Sequence, residues 1–431
     1  MFDSGKIVIK PNEAKISVLV YLLIFFSNDT YMFGSNKSEL MVSLPRYVML
    51  GLCVFCLYGF LRNGYISRAR QMCIGYALMV SVFLVVSFIN HDYITRILVK
   101  VLCMTATLLL CSQISFKRYA KAFNSAMWFI SLSAIFLTLI AYIAPGIVYS
   151  LPAITNKVGV NFYTIFFAGL DERSISNFAI RTGGIFWEPG VFQMYLNIAI
   201  LLELFVLELN KRRLTILIIA LYLTFSTTGY IVFAWIIATY FLFYRNENMS
   251  VNKTAWKFVI MFVLVIAAYL FLSYSSIAGN VFGKLTDRTD GSTFVRQASV
   301  FINLEIARDN PLTGIGMEIM EDEFERRSYA STLVYGWTRQ NTNTLLYQFA
   351  AHGIPFGLLF TIGTYLFGRL VSKRKVIVIS VFVMFVLLYI GENLTVSMLP
   401  YIIILYGFDH KRQLQLMKEE SYENGIINQR F

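Results

Sequence analysis

An arginine, two adjacent glycines, a tryptophan and a glutamate stand in RTGGIFWEPGVFQ, Arg181 to Gln193, immediately ahead of an apolar run that begins at Pro189. A guanidinium presents a planar fork of hydrogen-bond donors to an anion and does not give up its charge. A carboxylate nearby can hold a hydroxyl or take its proton. Gly183 and Gly184 let the backbone turn tightly before Pro189, a residue suited to the first position of a helix. Glu188 then lies where a helix dipole favours the ionised carboxylate. Two readings stand side by side. Either Glu188 caps the helix and Arg181 pairs with it or with lipid phosphate, or the two form a site at a membrane surface. Arg296, in GSTFVRQAS, has the neighbours to supply a second anion contact, and Trp187, Arg339 and Asn343 complete the residues expected to meet a substrate.

Other chemistry has less support. FSTTGY contains hydroxyls, but without a G-x-S-x-G elbow or a partner histidine it reads as a tight turn between two helices. Cys53 and Cys56 form a C-x-x-C spacing, yet all five cysteines fall in apolar runs, which points to packing rather than zinc or redox work. No P-loop, dinucleotide fingerprint or metal-ligand cluster is present, so neither cofactor nor metal is expected. His352, in AAHGIP within an apolar run, reads as a satisfied polar group before it reads as a catalyst. Glu392 and Asn393, in YIGENLTVS, sit at a junction of two spans, where they either line a cavity or merely bound the helices.

The elements that must position these residues follow from composition. With 57% hydrophobic and 14% charged residues over 431 positions, the chain is an all-α polytopic membrane protein and one integral membrane domain. Judged against the roughly 20 residues that cross a bilayer, about 12 transmembrane helices are expected. They lie near Lys15–Gly34, Tyr47–Leu61, Gln71–Ile89, Ile97–Phe116, Ala122–Pro145, Pro189–Leu209, Leu214–Thr227, Gly229–Tyr244, Trp256–Tyr274, Thr344–Phe367, Val376–Ile390 and Asn393–Phe408. The first is expected to be an uncleaved helix, since no small-residue cleavage site follows it. Basic residues cluster in alternate segments, at Lys6/Lys10/Lys15, Arg62/Arg68/Arg70, Lys117/Arg118/Lys121, Lys211/Arg212/Arg213, Arg245/Lys253/Lys257, Arg369/Lys373/Arg374/Lys375 and the tail 409–431. That pattern places both termini in the cytoplasm. The net charge of +12 is then largely a topology signal, and no nucleic-acid partner is needed to explain it. Two outer loops, 146–188 and 275–343, are too long to be mere connections, and function is expected there. The second is expected to be partly helical: NLEIARDNPL has a proline stop and MEIMEDEFERR reads as a short surface helix.

RTGGIFWEPGVFQMYL, TFSTTGY, GSTFVRQASVFINLEIARDNPLTGIG and TNTLLYQFAAHGIPFGLLF follow, in this order, the pattern of the O-antigen and capsule repeat-unit polymerases and the related O-antigen ligases. The resemblance covers Arg181 to about Phe367. It implies a metal-independent glycosyltransferase at the outer (periplasmic) face of the bacterial cytoplasmic membrane. Its glycan donor and acceptor would be undecaprenyl-diphosphate-linked oligosaccharides held in membrane lipid. A chain-length regulator is a further partner to look for. It also implies that Arg181 and Arg296 engage the diphosphate, whose developing charge a preorganised guanidinium stabilises. Glu188 is the nearest motif carboxylate to act as general base, with Asp171 and Glu172 next. The ligases carry a His-Asn pair with a glycine ten residues after the asparagine. Asn343 and Gly353 keep that spacing, but Thr342 stands at the histidine position, which tips the expectation toward polymerase, with ligase and transporter as alternatives.

Overall fold

The computed structural model describes residues 13–62, 69–165, 167–175, 180–244, 291–330 and 338–423. Its helices are α1 (Glu13–Phe25), α2 (Glu39–Arg62), α3 (Arg70–Ile89), α4 (Ile94–Gln113), α5 (Phe116–Ile143), the short α6 (Pro145–Tyr149) and α7 (Glu172–Ile175), α8 (Pro189–Phe205), α9 (Lys211–Leu223) and α10 (Thr227–Thr239), which runs on as a π-helical turn to Tyr244. Then come α11 (Gly291–Asp309), α12 (Met320–Ala330), α13 (Thr344–Val371), α14 (Lys375–Gly391), α15 (Met398–Phe408) and α16 (His410–Glu423). Among the described residues six are long and apolar enough to cross a membrane: α2, α3, α4, α5, α10 with its continuation, and α13. The apolar helices α1, α8, α14 and α15 are shorter. With α9 these fall on every expected span except the ninth, Trp256 to Tyr274, which lies outside the described residues.

Apolar side chains on every face suit helices that satisfy their own backbone in a medium without water. Several hydroxyls inside them bond back one turn, as Thr107 does to Cys103 O and Thr138 to Ala134 O. α8 is buried along its whole length after Pro189 and packs against α5, α9 and α10, which makes it the bundle's central post. Its first turn is therefore fixed from several sides, a good foundation for chemistry. The last expected span begins later than Asn393. Residues 392–397 form a loop instead, with Ser397 capping α15 at Leu399 N.

Between α6 and α8 the chain makes a three-stranded antiparallel meander, β1 (Ala153–Thr155), β2 (Asn161–Ile165) and β3 (Ala168–Asp171), with Tyr163 opposite Ala153 and Leu170. This small sheet departs from an all-α layout. It is tied to the α1–α2 connection, since Lys37 N donates to Thr155 O at 3.1 Å, and to the glycine pair, since Gly169 N donates to Gly184 O at 2.8 Å. Gly184 takes a left-handed φ of 58°. There Phe192 and Ile130 crowd the place a side chain would take.

α13 is one helix in name and two in geometry. Straight, the stretch from Thr344 to Gly368 would run about 36 Å, whereas α14 from Val378 to Gly391 spans about 20 Å. Yet Thr344 N donates to Glu392 O just past the end of α14, and Gly368 lies against Val378 near its start. The excess is absorbed at Gly353, whose φ of 75° and ψ of 172° break the helix two residues before Pro355. Into the break goes the connection from α11: Ile315 N donates to Ala350 O, Gly316 N to Ala351 O, and Ile354 N to Pro311 O at 2.7 Å. Asp92, in the α3–α4 turn, accepts from Met317 N at 2.7 Å and Glu318 N at 3.0 Å and holds the same connection from its other side. The break exposes backbone groups, and the inserted loop satisfies them.

Candidate functional site

Glu188 occupies the N-cap position of α8 in an extended conformation, with φ of −152° and ψ of 158°, but its side chain makes no bond to the first-turn amides. A simple capping role is therefore not what the carboxylate performs. It faces Glu392 instead, a buried residue 1% exposed, brought in by the loop between α14 and α15. Gly190 makes this approach possible, because a Cβ there would run into Glu392 Oε1. Two carboxyl groups thus meet at the positive end of the central helix. Arg296, from the second turn of α11, reaches the same point, with Nη2 3.6 Å from Glu392 Oε1 and 31% of its side chain exposed. Arg181 completes the cluster: its charge interacts with Glu188, Arg296 and Glu392.

Each cation and carboxylate is set by a different motif. Arg181 is anchored by its backbone N donating to Ser174 Oγ at 2.7 Å, and its Nε donates to Thr224 O at 3.2 Å, in the turn TFSTTGY. That turn is closed by Ser226 Oγ accepting from Gly229 N. Positions 296, 299 and 303 fall on one face of α11. From it Ser299 Oγ accepts from Thr342 N at 2.9 Å, and Asn303 exchanges two hydrogen bonds with Asn341. Asn393 Nδ2 donates to Asn341 O at 2.9 Å, and Thr344 Oγ1 donates to Glu392 O. The sequence NTNT, Asn341 to Thr344, at the start of α13 is thereby a bracket between the Arg296 face of α11 and the Glu392 loop. Asn343, fully buried, caps α13 by accepting from Leu346 N at 2.8 Å, and its Nδ2 has no hydrogen-bond partner among the described residues.

The electrostatics follow from burial. Burial pushes the Glu392 carboxyl well above the usual carboxylate range, and the neighbouring Glu188 pushes it further, while Arg296 and Arg181 pull the other way. Burial also lowers Arg181 from its ordinary value, with Glu188 opposing that effect. A half-exposed rim, two guanidiniums and a carboxyl pair can hold a doubly charged anion and receive a proton beside it.

Of the residues expected from sequence, Arg181, Glu188 and Arg296 are brought together. Trp187 is half-buried next to Glu188, and its N donates to Asp29 O at 3.1 Å. Asn343 is the cap of α13, next to Thr344, which bonds to Glu392 O. Arg339 stands apart: 57% exposed, it pairs with Asp322 at 3.3 Å and Glu325 at 3.5 Å on α12. Asp171 is bound by Arg173 and Glu172 by Asn161. His352 is fully buried and contacts Lys100 Nζ through Nε2 at 2.9 Å, with Gln348 Oε1 3.2 Å from the same amine. The five cysteines are free. Glu392 is the functional candidate that local sequence could not rank, because nothing within YIGENLTVS announces its partner. The one available signal was a carboxylate next to an amide side chain at the mouth of a span.

The arrangement joins four sequence motifs around one helix end. Residues 214–361 match the O-antigen ligase family model. The match bears out the resemblance seen in the motifs and is consistent with a member of the O-antigen ligase/polymerase superfamily. Arg296, Thr342 and Asn343 lie inside the matched segment, whereas Arg181, Glu188 and Glu392 lie outside it and reach it only through the fold. No curated protein matches the chain significantly.

Proposed function

We propose that this chain is a repeat-unit polymerase, a glycosyltransferase that joins undecaprenyl-diphosphate-linked oligosaccharides at the outer face of the bacterial cytoplasmic membrane. The family matched over residues 214–361 works in polysaccharide assembly on lipid-linked oligosaccharides, and its members transfer glycans. The observation that carries the reading is the convergence of Arg181, Arg296, Glu188 and Glu392 at the first turn of α8. In this reading the two guanidiniums hold the diphosphate and take up the charge that builds on it as the glycosidic bond to the carrier breaks. Glu188 removes the proton from the acceptor hydroxyl as it attacks the sugar's anomeric carbon. The product is a glycan longer by one unit and a free lipid diphosphate.

Ligase is the second reading, favoured by the description of the matched family. Thr342 favours polymerase: it stands where the ligases carry histidine, and its N and Oγ1 are both engaged with Ser299. The glycan pattern of cells lacking the protein separates the two. A polymerase null leaves one repeat unit on the final acceptor. A ligase null leaves none, and that outcome would overturn the polymerase assignment.

A further inference from the structure

Glu392 is a buried carboxyl whose Oε1 receives no hydrogen bond from any donor among the described residues. Around it among the described residues stand Glu188 at the start of α8, Arg296 on α11, and Arg181 from the first long loop. The Arg296 contact, at 3.6 Å, is an ion pair too long to be a hydrogen bond. Oε1 is itself buried, packed close to Gly190, so no solvent shell replaces the missing donor. Two adjacent carboxyls hydrogen-bond to each other only if one of them carries a proton. The buried member, Glu392, is the costlier one to ionise, and the half-exposed Glu188 is the one that faces the rim.

We infer that Glu188 and Glu392 work as a pair holding one proton, with Glu392 the protonated partner that donates to Glu188 and keeps it ionised and aimed as the base. This deepens the reading above and rests on it. When a diphosphate claims both guanidiniums, the carboxyls lose their cations, and a doubly ionised pair beside that anion becomes still less favourable. The shared proton therefore persists in the glycan-donor complex. Glu392 is a positioning residue, acting on the acceptor through Glu188. As the hydroxyl attacks, its proton passes to Glu188 and leaves for solvent with product, while Glu392 keeps its own.

The consequence is an asymmetry between two chemically identical substitutions. Glu392→Gln preserves a neutral donor to Glu188 and should keep kcat/KM within about tenfold of wild type, whereas Glu188→Gln removes the base and should cost a hundredfold or more. The pH profile separates this from mere structure. Wild type should lose activity at high pH as the pair loses its shared proton. Glu392→Gln should lose that alkaline limb. Glu392→Leu, which has no donor, should be as inactive as Glu188→Gln while still inserting. Glu392→Gln as inactive as Glu392→Leu, an unchanged alkaline limb in Glu392→Gln, or full activity in Glu392→Leu would each overturn the inference. Normal activity of Glu188→Gln would instead overturn the assignment of Glu188 as base, so the two failures are distinguishable.

Discussion

The arginines of the site are defined by what already holds them. Arg181 is fastened through its backbone and Nε, and among the described residues Arg296 makes only the long contact to Glu392, which leaves guanidinium edges for an incoming anion. Arg181→Ala and Arg296→Ala should each cut polymer formation by about a hundredfold, the scale of ~3 kcal/mol for one contact that strengthens in the transition state. Lysine should rescue poorly because it lacks the planar fork. Arg326→Ala should be mild by comparison, since Arg326 is exposed and tied to Glu323 on the surface of α12. Initial rates on a lipid-linked repeat unit check all three. Gly190→Ala is the sharper single-atom probe: the added methyl lands on Glu392 Oε1 and should abolish activity while membrane insertion persists. Wild-type rates from Gly190→Ala would mean that the carboxyl pair does not matter. Arg181 and Glu188 were legible together because one short motif carries both, with glycines and a proline to shape it. Glu392 was not, because its meaning arises only when the α14–α15 loop folds against Gly190. Arg339 shows the converse: its charge and its place in a long outer loop suggested a ligand contact, yet acidic residues of α12 satisfy it.

At the scale of elements, the break in α13 organises the site. Gly353 adopts a conformation that disfavours side chains, and a Cβ there would strike Leu312 O, so Gly353→Ala should cost on the order of 1–2 kcal/mol from backbone strain alone. Both thermal stability and activity should fall, because the loop 311–316 that fills the break also terminates α11, which carries Arg296. Retained stability with normal activity would show the break to be dispensable. Below it, Lys100 lies among the rings of Phe83, Tyr347 and Phe356, at 5.6–5.9 Å from their centroids, with His352 and Gln348 completing its surroundings. Hydropathy made the helices legible, since each span is an apolar run bounded by charge. The break was not, because Gly353 and Pro355 have too many uses in membrane helices to announce one. The β-meander escaped for a related reason: its strands are only three to five residues long, too short for alternation to stand out.

For the molecule as a whole, the loops gather at two ends in alternation. The α1–α2, α3–α4 and α14–α15 connections meet both long loops at one end, through contacts such as Asn28 Nδ2 to Val396 O, Asn90 Nδ2 to Thr313 O and Trp187 N to Asp29 O. At the other end Arg118 pairs with Glu420 and Arg213 with the buried Glu203. Among the described residues the basic clusters at Lys117/Arg118/Lys121, Lys211/Arg212/Arg213 and Arg369/Lys373/Arg374/Lys375 fall at this second end, the arrangement expected if that end faces the cytoplasm. Cysteines placed at Lys157 and Asp322, in a background without the native thiols, should react with an impermeant reagent added from outside. Reaction only after the inner face is opened would invert the orientation and remove the site from its substrate. The measurement that bears most directly on the central claim is reconstitution in vesicles of purified protein with an undecaprenyl-diphosphate-linked repeat unit, following glycan length and free lipid diphosphate together. Wild type should give a ladder, with one diphosphate released per unit added, and the Arg181→Ala/Arg296→Ala double variant should give neither. A ladder from the double variant, or diphosphate release from wild type without chain growth, would contradict the account.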